Sequence, residues 1–312
     1  MSRTGTGKYE KLLERCAGLE PVPTAVAHPC EATALAGAVE AAKRGLIVPI
    51  LVGPAAKIAA TAESAGIDIG GLEIFDTEHS QASAEKAVAL VRERWAEVLM
   101  KGSLHTDELM SAVVARDGLR TGRRISHAFI MDVPTYHKVL VVTDAAINIA
   151  PTLEEKADIC RNAIDLAVSL GLEAPKVAIL AAVETVTTKM PATIDAAALC
   201  KMAERGQIKG GRLDGPLAFD NAISRQAAET KGITSEVAGD PDILLAPDLE
   251  AGNILAKQLS FLAGADSAGL VLGARVPIIL TSRADSVRSR IASCAVAALV
   301  AHARRLIPGG VR

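Results

Sequence analysis

Thr281-Ser282-Arg283-Ala284-Asp285-Ser286 follows the apolar run at residues 276–280 and precedes a long helix-forming stretch. A hydroxyl, a guanidinium and a carboxylate at the end of a strand suit the handling of an oxyanion. Ligands of open α/β sheets bind beyond the carboxyl ends of strands. A helix starting there adds unpaired N–H groups and the positive end of its dipole. Arg283 offers a planar fork for a tetrahedral anion, and Ser282 can donate to a developing oxyanion. The structural alternative is that Asp285 or Ser286 caps the helix and Arg283 is a solvated loop charge.

Lys101, Gly102 and Ser103 form a second such loop, followed by His105 and Thr106. Glycine there allows close backbone approach to an anion, although Ser103 or Thr106 serves equally well as a cap. Arg123 and Arg124 stand before the apolar run at 128–133; a guanidinium pair can clamp an anion or simply mark a solvated turn. Asp144 and Asn148 end another strand and can orient a substrate or hold the turn. The acidic groups Asp214/Asp220 and Asp248/Glu250 suit Mg²⁺ or a general base, and each also has a capping explanation.

These loops need a scaffold of alternating strands and helices. Short apolar runs predict strands at 24–27, 47–52, 73–75, 98–100, 128–133, 139–142, 176–180, 243–245, 270–272 and 276–280. Pro49 counts against the second of these, because proline cannot donate to a ladder. Helices are expected at 31–44, 83–95, 106–115, 153–170, 195–204, 219–230, 249–262 and 287–305, and Gly53-Pro54 opens another. Such alternation favours right-handed βαβ units in mostly parallel sheets. A domain boundary is expected near Pro134, where Pro-Thr-Tyr-His-Lys interrupts the pattern between two strands.

Composition narrows the function. The chain has 312 residues, a formal net charge of −2 and only 2% aromatic residues. No global field or stacking platform favours nucleic acid. The 5 cysteines form no CxxC pair and no zinc spacing, as expected of free thiols in a reducing compartment. No secretory signal and no membrane-length apolar run is evident, so a cytoplasmic location is expected. A P-loop, a GxSxG elbow, an HExxH helix and a GxGxxG turn after the first strand are missing from the sequence.

In this order, MKGSLHTDEL at 100–109, GRRISHAFIMDVP at 122–134, TDAAINIAPTLEEK at 143–156, DGPLAFDNA at 214–222, PDLEAGNILAKQL at 247–259 and GARVPIILTSRADS at 273–286 resemble the phosphate acetyltransferase/phosphate butyryltransferase family. The last segment is similar to the butyryl-type branch. The resemblance implies two α/β/α domains of the isocitrate/isopropylmalate dehydrogenase-like kind with an active-site cleft between them, and a homodimer. The last strand and helix would rejoin the first domain, giving residues 1–134 plus 276–312 in the first α/β domain and 135–275 in the second. It implies reversible transfer of a short-chain acyl group, acetyl to butyryl, between coenzyme A and inorganic phosphate through a ternary complex. No permanently bound cofactor or metal is implied, and an acyl kinase is the expected pathway neighbour.

Carried over by motif, Ser282 would bond the acyl oxygen or thiol region, Arg283 would hold phosphate, and Arg124 would be a second phosphate contact. The acetyl-type branch has an aspartate seven positions after the serine. This chain has Ser289 there, which leaves Asp285 as the nearer carboxylate. Lys101, Ser103, Asp144 and Asn148 complete the expected substrate-binding set. Acyl transfer from acyl carrier protein, a metal-dependent hydroxyacid dehydrogenase and a non-catalytic coenzyme A-binding protein are the alternatives.

Overall fold

The computed structural model describes residues 7–281 and 285–306. It divides into two compact units, one built from Tyr9–Arg123 with the segment from Ala268 onward, the other from Arg124–Ser267 with Lys8.

The first unit opens with α1 (Lys8–Cys16), β1 (Val22–Ala27), α2 (Ala32–Lys43), β2 (Ile47–Val52), α3 (Ala55–Ala65), β3 (Glu73–Phe75), α4 (Ser80–Arg92), β4 (Val98–Lys101) and α5 (Thr106–Val114). The chain then forms the second unit: β5 (Ser126–Asp132), β6 (Leu140–Thr143), α6 (Leu153–Ser169), β7 (Lys176–Leu180), α7 (Pro191–Glu204), β8 (Arg212–Leu217), α8 (Phe219–Ile223), α9 (Arg225–Thr230), β9 (Ile243–Leu245) and α10 (Leu249–Phe261). It ends with β10 (Asp266–Leu272), β11 (Ile278–Ile279) and α11 (Val287–Arg305).

Strand order in the first unit is β3-β2-β1-β4-β11-β10. All neighbours are parallel except β10 and β11. β1, β2 and β4 are almost wholly buried, as the aliphatic runs of a sheet covered on both faces should be. In the second unit the order is β5-β6-β9-β7-β8, with only β5 and β6 antiparallel. Each unit is an α/β layer structure with a mostly parallel set of strands.

Pro49 lies in β2 despite its missing N–H, and the register shows why. In parallel strands successive residues bond to opposite neighbours. Leu46 and Val52 accept from Val22 and His28 on the β1 side, whereas Gly53 donates to Phe75 on the β3 side. Pro49 therefore faces β3, whose pairing starts only at Ile50. No ladder bond is lost.

Beyond shifts of a few residues at element ends, four segments differ from the sequence pattern for identifiable reasons. β11 holds only Ile278–Ile279, since Pro277 cannot donate to the ladder, although its carbonyl accepts from Leu99. The helix expected at 219–230 breaks at Ser224, whose extended backbone ends α8 and whose hydroxyl caps α9 through Ala227 N–H. Asp214-Gly215-Pro216, whose residue types favour a turn, belongs to β8, an edge position where proline is tolerated. α1 went unread because its apolar face is narrow; Tyr9 and Cys16 are its buried residues.

α11 packs beside α2 in the first unit. The contact is close: a β-carbon on Gly37 would lie 2.7 Å from Arg290 Cδ. A small residue on α2 thus makes room for a buried arginine on α11.

Candidate active site

In the first unit β1, β4 and β11 run parallel, so the segments after them emerge at one end of the strands. The ends of β1 and β4 are laced together. Gly102 N–H donates to Ala27 O at 2.8 Å and Ser103 N–H to His28 O at 2.9 Å. A β-carbon on Gly102 would lie 2.3 Å from Ala27 O, so only glycine fits. Ser103 Oγ donates to His28 O at 2.7 Å and accepts from Cys30 N–H at 3.2 Å. Its hydroxyl fixes this junction. Lys101 is buried at 5% exposure, with Nζ 3.4 Å from Gly102 O. His105 holds the N-cap position of α5, and its backbone N–H donates to Glu108 Oε2 at 2.8 Å.

His28 was not singled out by the sequence reading. Its φ is +56°, and Nδ1 lies 3.0 Å from Ser83 Oγ. Ser83 Oγ also meets His79 O at 2.8 Å and Thr77 Oγ1 at 2.9 Å, so His28 joins a small polar cluster at the start of α4. Burial, then Lys57, lowers the His28 pKa, while Glu108 and Glu31 oppose this. Its place directly after the first strand was the available signal.

At the end of β11, Thr281 is buried and its Oγ1 accepts from Arg290 Nη1 at 2.7 Å. Arg290, 2% exposed in the first turn of α11, also escaped the sequence reading. Burial lowers its pKa, and Asp285 is the largest opposing influence. Ser286 caps α11 through Ser289 N–H at 3.1 Å, so the cap is Ser286 rather than Asp285. Ser289 shares that cap, its Oγ 3.1 Å from Ser286 Oγ. Ser282 and Arg283 lie outside the described residues.

The second unit gathers Arg124, Asp144 and Asn148 into one array. Asp144 is 3% exposed; its carboxylate accepts from the backbone N–H groups of His127, Ala146, Ile147 and Asn148 and from the Asn148 amide. Thus Asp144 holds the turn. Asn148 Nδ2 also donates to Ile125 O at 2.9 Å, which fixes the amide orientation. Asn148 Oδ1 then accepts from Arg124 Nε at 2.6 Å. Arg124 Nη1 pairs with Glu155 Oε1 at 2.9 Å. Glu155 in turn completes the capping box of α6 with Thr152. Arg124 remains 49% exposed, and Nη2 has no partner among the described residues.

Asp248 caps α10 through Ala251 N–H, and Asp220 pairs with Lys231. Asp214 accepts from its neighbour Gly215 N–H. Among the described residues no group of three or more His, Cys, Asp or Glu could hold a metal ion, and no helix is long and apolar enough to cross a membrane.

The family model for phosphate acetyl/butaryl transferase matches residues 81–298. The chain belongs to the phosphate acetyl/butyryl transferase family, a family of acyltransferases. It is 65% identical to a phosphate acetyltransferase of Rhizobium meliloti over 96% of this chain and 95% of that one. A phosphate butyryltransferase of Clostridium acetobutylicum is 40% identical over 94% of this chain and 98% of its own. The similarity of residues 273–286 to the butyryl-type branch is therefore not matched by whole-chain identity to these two relatives. A crystal structure of a branched-chain phosphotransacylase from Enterococcus faecalis superposes with a TM-score of 0.78 at 28% identity, covering 90% of this chain and 99% of that one.

Proposed function

We propose that this chain transfers a short acyl group, acetyl to butyryl, reversibly between coenzyme A and inorganic phosphate, through a ternary complex. The observation that carries this reading is the parallel arrangement of β1, β4 and β11, which delivers three post-strand segments to one end of the first unit, in a chain 65% identical to a phosphate acetyltransferase. The third of these segments leads directly into Ser282 and Arg283.

In the acyl-phosphate-forming direction a phosphate oxygen attacks the thioester carbonyl carbon. The C–S bond breaks, and the coenzyme A sulfur leaves as thiolate and takes up a proton. Arg283 and Arg124 hold the phosphate and offset negative charge as the tetrahedral oxyanion forms. Ser282 donates to that oxyanion. A free thiol ionises near 8.5, so the same guanidinium groups lower the cost of the thiolate in the reverse direction. Ser289 has no carboxylate to act as base, and positioning with electrostatics carries most of the rate in this scheme. Asp285 supplies a nearby carboxylate. Lys101 adds positive charge at the end of β4, Ser103 fixes the β1–β4 junction, and Asp144 with Asn148 keeps Arg124 in place. The proposed working form is a cytoplasmic homodimer with an acyl kinase as pathway neighbour.

The deciding assay is phosphate-dependent thiol release from acetyl-, propionyl- and butyryl-coenzyme A, with acyl carrier protein thioesters as the comparison. Arg283→Ala should lose most turnover and keep its melting temperature. Near wild-type rates in that variant would remove Arg283 from the mechanism.

A further inference from the structure

The amino ends of β4 and β11 lie opposite the end that carries Lys101–Ser103. A cavity of about 470 Å³ opens there within the first unit, lined by Arg92, Arg94, Arg275, Arg304 and Arg305, with Glu97 as the only acidic lining residue among the described residues. The lining carries a net charge of +4 on a chain whose net charge is −2. Helix ends account for part of this, since Arg92 closes α4 and Arg304 and Arg305 close α11. Arg94 and Arg275 lie beyond any helix.

Three of the guanidinium groups are already positioned. Arg92 Nη1 donates to Asp117 O at 3.0 Å, Arg304 Nη1 donates to Arg275 O at 2.9 Å, and Arg305 is gripped by both carboxylate oxygens of Glu97 at 2.7 Å. Arg94 adopts φ +67° just after the end of α4, a position that glycine ordinarily fills. A side chain is kept there against its backbone preference, and it joins the lining of the cavity. Strained residues of this kind concentrate at binding sites.

We propose that this groove is a second anion site, separate from the reaction end, that takes a small polyanion bearing phosphate or carboxylate groups. Five fixed or nearby forks favour a ligand with at least two charged groups. α11 runs from the residues after the Ser282–Arg283 loop to Arg304 and Arg305. At 1.5 Å per residue, its 19 residues set Arg304 and Arg305 about 28 Å from the start of the helix at Val287. The proposal does not depend on the acyl chemistry.

Calorimetric titration of the full chain tests it. Coenzyme A and phosphate are kept saturating, and inorganic pyrophosphate or citrate is the probe. Wild type should bind at least one probe, more weakly as salt rises. Pyrophosphate alone would identify phosphate-type ligands and citrate alone carboxylate-type ligands. The Arg94→Glu/Arg275→Glu variant should lose at least about tenfold in affinity and keep its turnover in the absence of probe. Arg94→Gly guards against misfolding, because it relaxes the backbone. It should melt at or above the wild-type temperature and still bind more weakly. Equal binding in wild type and both variants overturns the proposal. So does binding of neither probe, or binding only of single-stranded RNA or an acidic carrier protein.

Discussion

Arg124 Nε donates to Asn148 Oδ1 at 2.6 Å, and the Asn148 amide can face only one way, because its nitrogen is taken by Asp144 and Ile125. The guanidinium is thereby aimed by a chain of contacts that begins at a buried carboxylate. Asn148→Ala should therefore raise the KM for phosphate roughly tenfold, the worth of one charge-assisted hydrogen bond, with a smaller fall in kcat. Arg124→Ala should raise it further. Initial rates over a phosphate series at fixed acyl-coenzyme A separate the two. An unchanged KM in both would take Arg124 out of the phosphate site.

Arg290 is buried and its Nη1 donates to Thr281 Oγ1 directly before the proposed catalytic pair. Methionine follows the arginine stem, and the contact it removes ends on the neutral Thr281 hydroxyl, so no buried charge is left at that atom. Arg290→Met should keep the wild-type melting temperature within a few degrees and lose about tenfold in kcat. Thr281→Val should show the same kinetic defect, since it removes the other half of the contact. Loss of activity only in step with loss of folding would assign Arg290 a purely structural role.

Burial, seconded by Lys57, holds His28 below its ordinary value of 6.5. A group depressed in the folded state stabilises the fold fully above its unfolded pKa, and that contribution is lost as pH falls through the folded value. Urea midpoints measured from pH 7.5 to pH 5 should therefore fall more steeply in wild type than in His28→Asn. Asparagine keeps a donor toward Ser83 and tolerates the positive φ. Parallel curves for the two proteins would count against the assignment.

Burial pushes the thiols of Cys160, Cys200 and Cys294 up to about 12, and that of Cys16 up to about 11. Cys30 is also raised, again chiefly by burial. None is poised to form an acyl-enzyme at neutral pH. Iodoacetamide at pH 7 should leave turnover intact for hours, and all five cysteines should react once the chain is unfolded in urea. Rapid stoichiometric inactivation of the folded protein would argue for a covalent route and against the ternary complex.

Much of the fold could be read from the sequence because its strands are short aliphatic runs with loops at regular spacing. Ile47–Val52, Lys176–Leu180, Ile243–Leu245 and Val287–Arg305 fall where the pattern put them. The failures have local causes. Ser224 reads as an ordinary helical residue until its hydroxyl turns back as a cap. Asp214-Gly215-Pro216 has turn composition but occupies an edge strand.

The same limit applies at the candidate site. Arg124, Asp144 and Asn148 were legible by motif, whereas their hierarchy was not. Only the hydrogen bonds reveal that Asp144 faces inward and Arg124 outward. His28 and Arg290 were missed for opposite reasons. The first looks like a lone loop histidine, and the second like one more charge on a basic helix start, until Gly37 gives it a buried berth.

Pro49 limits how far β3 can grow. Its ring presents no donor toward that side, so β3 cannot be extended beyond Glu73 by a bond from Pro49. The outermost strand of this unit is held to three residues, Glu73–Phe75. Long unpaired borders invite a second polypeptide to add itself strand by strand, the route to insoluble fibres. The turn at Gly71, with φ +78°, and an imino acid one strand further in keep this border too short to serve as such a template.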